Sequence, residues 1–151
     1  MILETKRLSI HTASQEEMAE FIEKQTDAVL KTAYLEMLQG CMDHPEQWEW
    51  FTIWMIKSRD GIHIGELSFK GLGSDGSVEI GYGISEEFQG KGFAAEAVDA
   101  AVNWALGQPD VKCVEAETEP DNRASQRVLE KCGFIPTGVI GEEGPRFRKA
   151  N

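Results

Sequence analysis

Apolar and polar positions along this chain follow two periods, and the switches between them mark its elements. Lys6 to His11 alternates as a first strand. Ser14-x-x-Glu17 is a capping box opening a helix that places Met18, Phe21 and Ile22 on one face. A second helix from about Asp27 to Cys41 carries Leu30, Tyr34, Met37, Leu38 and Cys41 at helical spacing, until His44-Pro45 breaks it. Trp50 to Lys57 and Ile62 to Phe69 read as strands joined by Ser58-Arg59-Asp60-Gly61, whose Asp-Gly pair favours a tight hairpin. A glycine-rich turn, Gly71 to Gly76, leads to the strand Val78 to Ile84. The helix predicted over 92–106 has Phe93, Ala97, Val98, Ala101, Trp104 and Ala105 as its apolar side and stops near Gly107 and Pro109. A strand over 111–118, a helix over 122–132 closed by Gly133, and two short strands (Phe134 to Ile140, Arg146 to Lys149) complete the chain. The order βααβββαβαββ predicts an α/β protein with a mixed central β-sheet flanked by helices. No repeat, linker or low-complexity tract interrupts it, so residues 1–151 read as a single domain.

Composition narrows the classes. A chain of 151 residues with 41% hydrophobic content should bury roughly 70% of the surface its unfolded form exposes. No stretch approaches the roughly 20 apolar residues needed to cross a bilayer, so no membrane association is expected. The opening Met-Ile-Leu-Glu-Thr-Lys-Arg places charges where a signal peptide carries its apolar core, which points to a cytoplasmic protein. Cys41, Cys113 and Cys132 have no metal-like spacing and read as buried thiols; no metal is expected. A formal net charge of −11 argues against nucleic acid, whose phosphates require a basic stripe. It is compatible with a cationic amine acceptor drawn to an acidic surface, though solubility alone is the plainer reading. Lys91, Arg123, Arg127 and Lys131 gather instead where an anionic ligand would sit.

Gln89-Gly90-Lys91-Gly92-Phe93-Ala94 lies between a strand and a helix. The first-turn N–H groups of a helix lack intrahelical partners and the helix dipole adds partial positive charge, which together favour a phosphate or pyrophosphate. A plain tight turn is the competing reading. A P-loop would need Ser or Thr after Gly-Lys, where Gly92 stands. Gly90-x-Gly92-x-x-Ala95 satisfies the letters of a dinucleotide fingerprint, but the strand before it does not open a βαβ unit.

A second segment separates these readings. Asp121 to Phe134 follows the apolar run Val111 to Thr118, and here the chain resembles the GNAT superfamily of acyl-CoA-dependent N-acyltransferases. The likeness is strongest to the ribosomal-protein N-terminal acetyltransferase (RimJ/RimL-like) branch, which shares the opening Leu3-Glu4-Thr5-Lys6-Arg7-Leu8. Gln89 through Ala94 meets the family's pyrophosphate motif, and Asn122, Ser125, Leu129 to Lys131, Gly133 and Phe134 match its later one.

The resemblance implies the GNAT fold and acetyl transfer from acetyl-CoA to a primary amine by direct attack in a ternary complex. The pantetheine arm is then expected between strands 78–84 and 111–118, bonded near Ile84 and Ser85. The pyrophosphate is expected on Gln89, Gly90, Lys91, Gly92, Phe93 and Ala94, with Asn122 and Ser125 also contacting cofactor. Asn122 reads equally as a helix N-cap. Gly81 and Gly83 suit the close approach of a chain-like ligand, or a simple bend. A lysine amine must lose a proton at a cost of roughly 4.6 kcal/mol at pH 7, an α-amine only about 1.4 kcal/mol. Glu117 and Glu79 are the candidate general bases, acting through water, against the plain reading of solvated carboxylates. Many relatives protonate the leaving thiolate with a tyrosine seven residues after the Asn; Leu129 stands there, and Ser125 is the candidate substitute, if not merely a helix-face hydroxyl. Trp48, Trp50, Trp54 and Tyr82 either wall an acceptor channel built from the first helices and the following hairpin, or form core. The short final strand leaves the acceptor cleft open or completed by a second subunit in a homodimer. Two further readings stay open: a non-catalytic acyl-CoA-binding regulatory module, and an interaction protein whose acidic face binds a basic partner.

Overall fold

A computed structural model describes residues 1–150. Eight strands build one sheet: β1 (Ile2–Glu4), β2 (Leu8–Thr12), β3 (Ile53–Ser58), β4 (His63–Leu72), β5 (Ser77–Ile84), β6 (Cys113–Glu117), β7 (Ile135–Ile140) and β8 (Pro145–Ala150). Their spatial order is β1-β2-β3-β4-β5-β6-β8-β7. Five α-helices accompany them: α1 (Gln15–Glu23), α2 (Ala28–Asp43), α3 (Trp48–Phe51), α4 (Phe93–Leu106) and α5 (Arg123–Lys131). The expected order is observed with two additions, β1 and α3, and the mixed α/β architecture is the one expected.

Neither addition has a periodic signature. β1 is three residues long and is held by antiparallel pairing to β2, from Ile2 opposite His11 to Glu4 opposite Ser9. The stretch expected to begin a strand at Trp50 is instead helical. After α2 ends, Pro45 opens a 3₁₀ turn, a position where its missing N–H costs nothing. Two indoles then fix the segment: Trp48 Nε1 donates to the Ala13 carbonyl (2.8 Å) and Trp54 Nε1 to that of Glu49 (2.9 Å). One long-range and one local hydrogen bond thus override the strand preference of aromatic residues, and β3 begins only at Ile53. In α2, Cys41 is buried as the spacing predicts, but Leu30 lies on the exposed side.

Alternation sorts the sheet residues onto two faces. Val78, Ile80 and Tyr82 of β5 face α4 and α5; Glu79, Gly81 and Gly83 face the side covered in part by α1 and α2. The larger core lies on the first face. Ala97, Ala101 and Ala105 present a flat, fully buried surface of α4 that lets the helix sit close to the strands. Beside it Trp50, Trp54, Phe69 and Trp104 interlock with ring centroids 4.9–5.5 Å apart for the nearest pairs. All three tryptophans of the Trp48 to Trp54 segment are thus engaged in packing or backbone capping, and they do not wall a channel. A smaller cluster of Ala13, Met18, Cys41, Ile53 and Met55 joins α1 and α2 to the other face.

The strand pairing changes character once. β5 and β6 run parallel and pair for three residues, Ser77 with Cys113, Val78 with Val114 and Glu79 with Glu115. β5 then continues to Ile84 beside β4 alone, while β6 continues to Glu117 beside β8. The sheet forks at Glu79. Arg146 of β8 bridges the two arms of the fork, contacting Glu79 Oε1 on β5 (2.8 Å) and Glu117 Oε1 on β6 (2.7 Å), with Glu115 Oε1 at 3.4 Å. Lys70 Nζ holds the other Glu79 oxygen at 2.6 Å, and the Glu143 N–H donates to Glu117 Oε2 at 2.8 Å. β8 is not curtailed as expected: it pairs with β6 along five residues, which is what brings Arg146 to the fork.

Two outcomes follow from this packing. A Cβ on Gly65 would overlap the Gly83 carbonyl oxygen, whereas one on Gly81 meets nothing within 4 Å. Gly65→Ala should therefore cost about 1–3 kcal/mol in urea unfolding, and Gly81→Ala should leave the midpoint in place. Burial would raise the Glu79 carboxyl, but hydrogen bonds and charge from Lys70 and Arg146 hold it below its ordinary value; the Glu143 N–H and Arg146 do the same for Glu117. For lowered carboxylates the stabilisation is present above the unfolded pKa and disappears as pH falls through the folded one. Arg146→Gln should lower the urea midpoint at pH 7, and the gap to wild type should close as pH falls through and below about 4, the ordinary carboxylate range.

Candidate functional site

β5 leaves the sheet at Ile84 and passes through a 3₁₀ turn (Glu86–Phe88) into the glycine segment. Gly90 and Gly92 have φ of 76° and 82°, values that L side chains rarely adopt, and no non-glycine residue among those described has positive φ. Gly92 is the N-cap of α4, and no side chain caps that helix. Its first N–H groups, uncovered by any side-chain cap, sit at the positive end of the helix dipole.

What holds the turn in place comes from the other end of the chain. Arg7 donates from Nη1 to the Lys91 carbonyl (3.0 Å), pairs through Nε with Glu96 Oε1 (2.7 Å), and lies 4.3 Å over the Phe93 ring. The Thr5 hydroxyl and the Arg7 N–H both donate to Glu96 Oε2. These bonds outweigh the effect of burial and hold the Glu96 carboxyl below its usual range, so the pair with Arg7 is ionic at neutral pH. The opening segment, read from sequence only as a mark of likeness, is a brace for the glycine turn. No periodicity could have revealed this, because Arg7 and Glu96 are 89 residues apart.

A cleft of about 490 Å³ opens beside the turn. Ile84, Gln89, Gly90, Gly92, Phe93 and Ala94 line one wall, and Asn122 and Ser125 line the other, so the two sequence motifs are brought to one place. Arg127 and Lys131 of α5 also face it and supply positive charge. Lys91 is not among the lining residues; its Nζ lies 5.9 Å from the Phe88 ring centroid. Ser85 does not line the cleft either, and its N–H is spent on the Ile64 carbonyl at 2.9 Å. The Ile84 carbonyl accepts from Gln89 Nε2 (2.9 Å), a bond that closes the loop between them.

On the α5 side, Asn122 Oδ1 caps the helix by accepting from the Ser125 N–H at 3.1 Å, the local role its sequence position allowed. Leu129 is fully buried. A tyrosine nonetheless arrives from another element: the Tyr82 hydroxyl lies 2.7 Å from Ser125 Oγ and donates weakly to the Ser125 carbonyl at 3.3 Å. Burial raises the Tyr82 phenol above its ordinary pKa despite the bond to Ser125, so it stays protonated at neutral pH. The strand's alternation put Tyr82 on this face, but only the fold could show which hydroxyl it meets.

The other face of the fork holds a second cavity, of about 270 Å³. Its floor is Ser68, Gly81 and Gly83, its apolar wall includes Met37 and Ile53, and Tyr34 and Glu66 complete it. Neither glycine has positive φ, no register shift occurs at either, and a Cβ on either meets nothing within 4 Å. Neither backbone conformation nor packing therefore requires glycine there, and their effect is to keep space open. The two cavities share Tyr82 and Gly83. Glu79 and Glu117 lie on this second face with Arg146 between them. Glu66, which sequence reasoning did not single out, has the same alternation as Ser68 and was hidden among 26 acidic residues.

Other candidates close quickly. Cys41 and Cys132 are buried thiols, and burial pushes Cys132 up to about 11; Cys113 is half-buried. Among the described residues no group of three or more His, Cys, Asp or Glu is placed to hold a metal ion, and no helix is long and apolar enough to cross a membrane.

Known proteins share this fold. The uncharacterized N-acetyltransferase YjdG of Bacillus subtilis (strain 168) is 38% identical over 87 residues, covering 56% of this chain and 52% of that protein. The uncharacterized N-acetyltransferase p20 of Bacillus licheniformis is 31% identical over 87 residues, covering 57% and 48%. The chain spans about half the length of the curated relatives it matches. The solved structure of RimL, a ribosomal L7/L12 alpha-N-protein acetyltransferase in complex with coenzyme A, superposes with a TM-score of 0.78 at 16% identity over 99% of this chain and 98% of that one. SpeG spermidine N-acetyltransferase from Vibrio cholerae gives 0.73 at 16% identity, over 97% and 95%. At such identity these two show a common fold. Residues 4–135 match the family described as the acetyltransferase (GNAT) domain, and the chain belongs to that family.

Proposed function

We propose that this chain is an N-acetyltransferase that moves an acetyl group from acetyl-CoA to a primary amine by direct attack in a ternary complex. One observation carries the reading: two cavities on opposite faces of the sheet meet at Tyr82 and Gly83, where β5 and β6 have parted. A donor on one face and an acceptor on the other would meet through the fork, and holding both reactants can supply on the order of 7–11 kcal/mol of the barrier. The N-acetyltransferase relatives and the coenzyme A bound by RimL support the same donor.

In this reading the Gln89 to Ala94 turn, braced by Arg7, binds the pyrophosphate, and Arg127 and Lys131 add charge to the same cleft. The amine lone pair forms a bond to the thioester carbonyl carbon, and the C–S bond breaks as the adduct collapses. The nitrogen gives up its proton to water, and the coenzyme A thiolate departs toward Ser125, whose hydroxyl, tied to Tyr82, hydrogen-bonds it until it takes a proton from solvent. Ser125 thus supplies the hydrogen bond that Leu129 cannot, with the Tyr82 hydroxyl beside it. Glu79 and Glu117 face the amine side. Their carboxyls, held low by Lys70, Arg146 and the Glu143 N–H, are ionised but weakly basic, so any proton they accept from the amine comes by way of water. The RimJ/RimL-like likeness makes a protein N-terminus one acceptor class, beside lysine and small amines.

Titration calorimetry with acetyl-CoA tests the donor site. Lys91→Glu leaves both turn glycines in place and should weaken binding roughly tenfold or more with the melting temperature unchanged. Absence of acetyl-CoA binding by folded wild type would sink the enzyme reading. A pH series tests the chemistry. The acid limb of kcat/KM should rise about tenfold per pH unit toward the acceptor's own pKa, near 8 for an α-amine and about 10.4 for a lysine. A limb near pH 7 common to both acceptors, and displaced by Glu79→Gln or Glu117→Gln, would instead mean a tuned carboxylate base.

A further inference from the structure

The cavity on the α2 face has one charged residue in its lining, Glu66, among Met37, Ile53, Leu67, two tyrosines, Ser68 and the two glycines. The sheet register fixes where its carboxylate stands: Glu66 lies opposite Gly83 and Ser68 opposite Gly81, so the space those glycines leave open is bordered by the Glu66 and Ser68 side chains. Gly83 also lines the donor cleft. Unlike Glu79 and Glu117, Glu66 pairs with no lysine or arginine among the described residues. Its hydrogen-bonding partner among the described residues is His63 Nε2 at 3.3 Å, an exposed and weak contact, and its side chain is 29% exposed. Its charge reaches Tyr34 across the cavity, where it adds to burial in raising that phenol.

We infer that Glu66 is the acceptor-binding carboxylate, and that the acceptor carries a single ammonium on an apolar stem. This rests on the acetyltransferase reading above and deepens it. One carboxylate in a cavity free of cations recognises one positive charge, and a charge-assisted hydrogen bond fixes the nitrogen opposite Gly83, beside the fork. The remaining wall, Met37, Ile53 and the Tyr34 ring, offers apolar contact to whatever bears the amine and gives a second or third ammonium no anionic partner within the cavity. Gly81 and Gly83 make the room.

Phenethylamine is the probe for such a ligand, with 2-phenylethanol as its uncharged counterpart and spermidine as the polycation. Binding is read from the Met37 methyl resonance in ¹³C-methionine-labelled protein, with and without coenzyme A, so that the result does not depend on turnover. Phenethylamine should shift Met37 saturably, and 2-phenylethanol should bind roughly tenfold or more weakly, as should phenethylamine to Glu66→Gln, the loss expected for a hydrogen bond to a charged group. Gly81→Val adds bulk where a Cβ has room and should abolish the shift, while acetyl-CoA affinity in both variants stays at the wild-type value. No Met37 shift, equal binding of amine and alcohol, an unaltered Glu66→Gln, or tighter binding of spermidine than of phenethylamine would each overturn the inference. Failure of wild type to bind acetyl-CoA would overturn the enzyme reading instead, whatever the amine titration shows.

Discussion

Three backbone pairs are all that join β5 to β6, and the site depends on that interruption. A strand that loses its neighbour exposes N–H and C=O groups that must find partners, so a fork inside a sheet is costly unless it is held open and used. Here it is held on both faces. Arg146 sits between Glu79 on one arm and Glu117 on the other, and across the sheet Tyr82 reaches the N-terminal turn of α5 at Ser125.

Charge is distributed to match. The chain is strongly acidic, yet the cleft beside the glycine turn is lined by Arg127 and Lys131 and braced by Arg7. On the opposite face carboxylates predominate. Those of Glu79, Glu115 and Glu117 are gathered on one guanidinium, which lets three like charges stand close together and keeps two of them from becoming strong bases. That leaves Glu66 as the carboxylate in the second cavity without a strong counter-charge. A sheet with a cleft lined by basic residues on one side and carboxylates on the other, joined at a fork, is suited to bring an anionic donor and a cationic acceptor together.

The glycines illustrate how one residue type serves separate physical ends. Gly90 and Gly92 are needed for a left-handed backbone at the start of α4. Gly65 is needed because β4 and β5 approach too closely for a Cβ. Gly81 and Gly83 meet neither demand and act by leaving volume empty. In the sequence the three cases look alike.

The chain's periodicity by itself determined the succession of most elements, and the letters of two motifs determined the family, because both depend on local spacing: α1's capping box, the alternation of β4 and β5, and the glycine turn before α4 each encode their own geometry within a few residues. Where local preference met a tertiary demand it lost, as at Trp50, whose strand-forming neighbourhood is helical, tied by the Trp48 indole to the distant Ala13 carbonyl and by the Trp54 indole to the nearby Glu49 carbonyl. The site was legible as two motifs but not as a constellation. Arg7 on Glu96, Tyr82 on Ser125, Arg146 among three glutamates and Glu66 beside Gly83 all join residues far apart in the chain or across strands. A sequence fixes which face of a strand a side chain takes; which partner waits there depends on sheet order and register, and only the folded chain decides those.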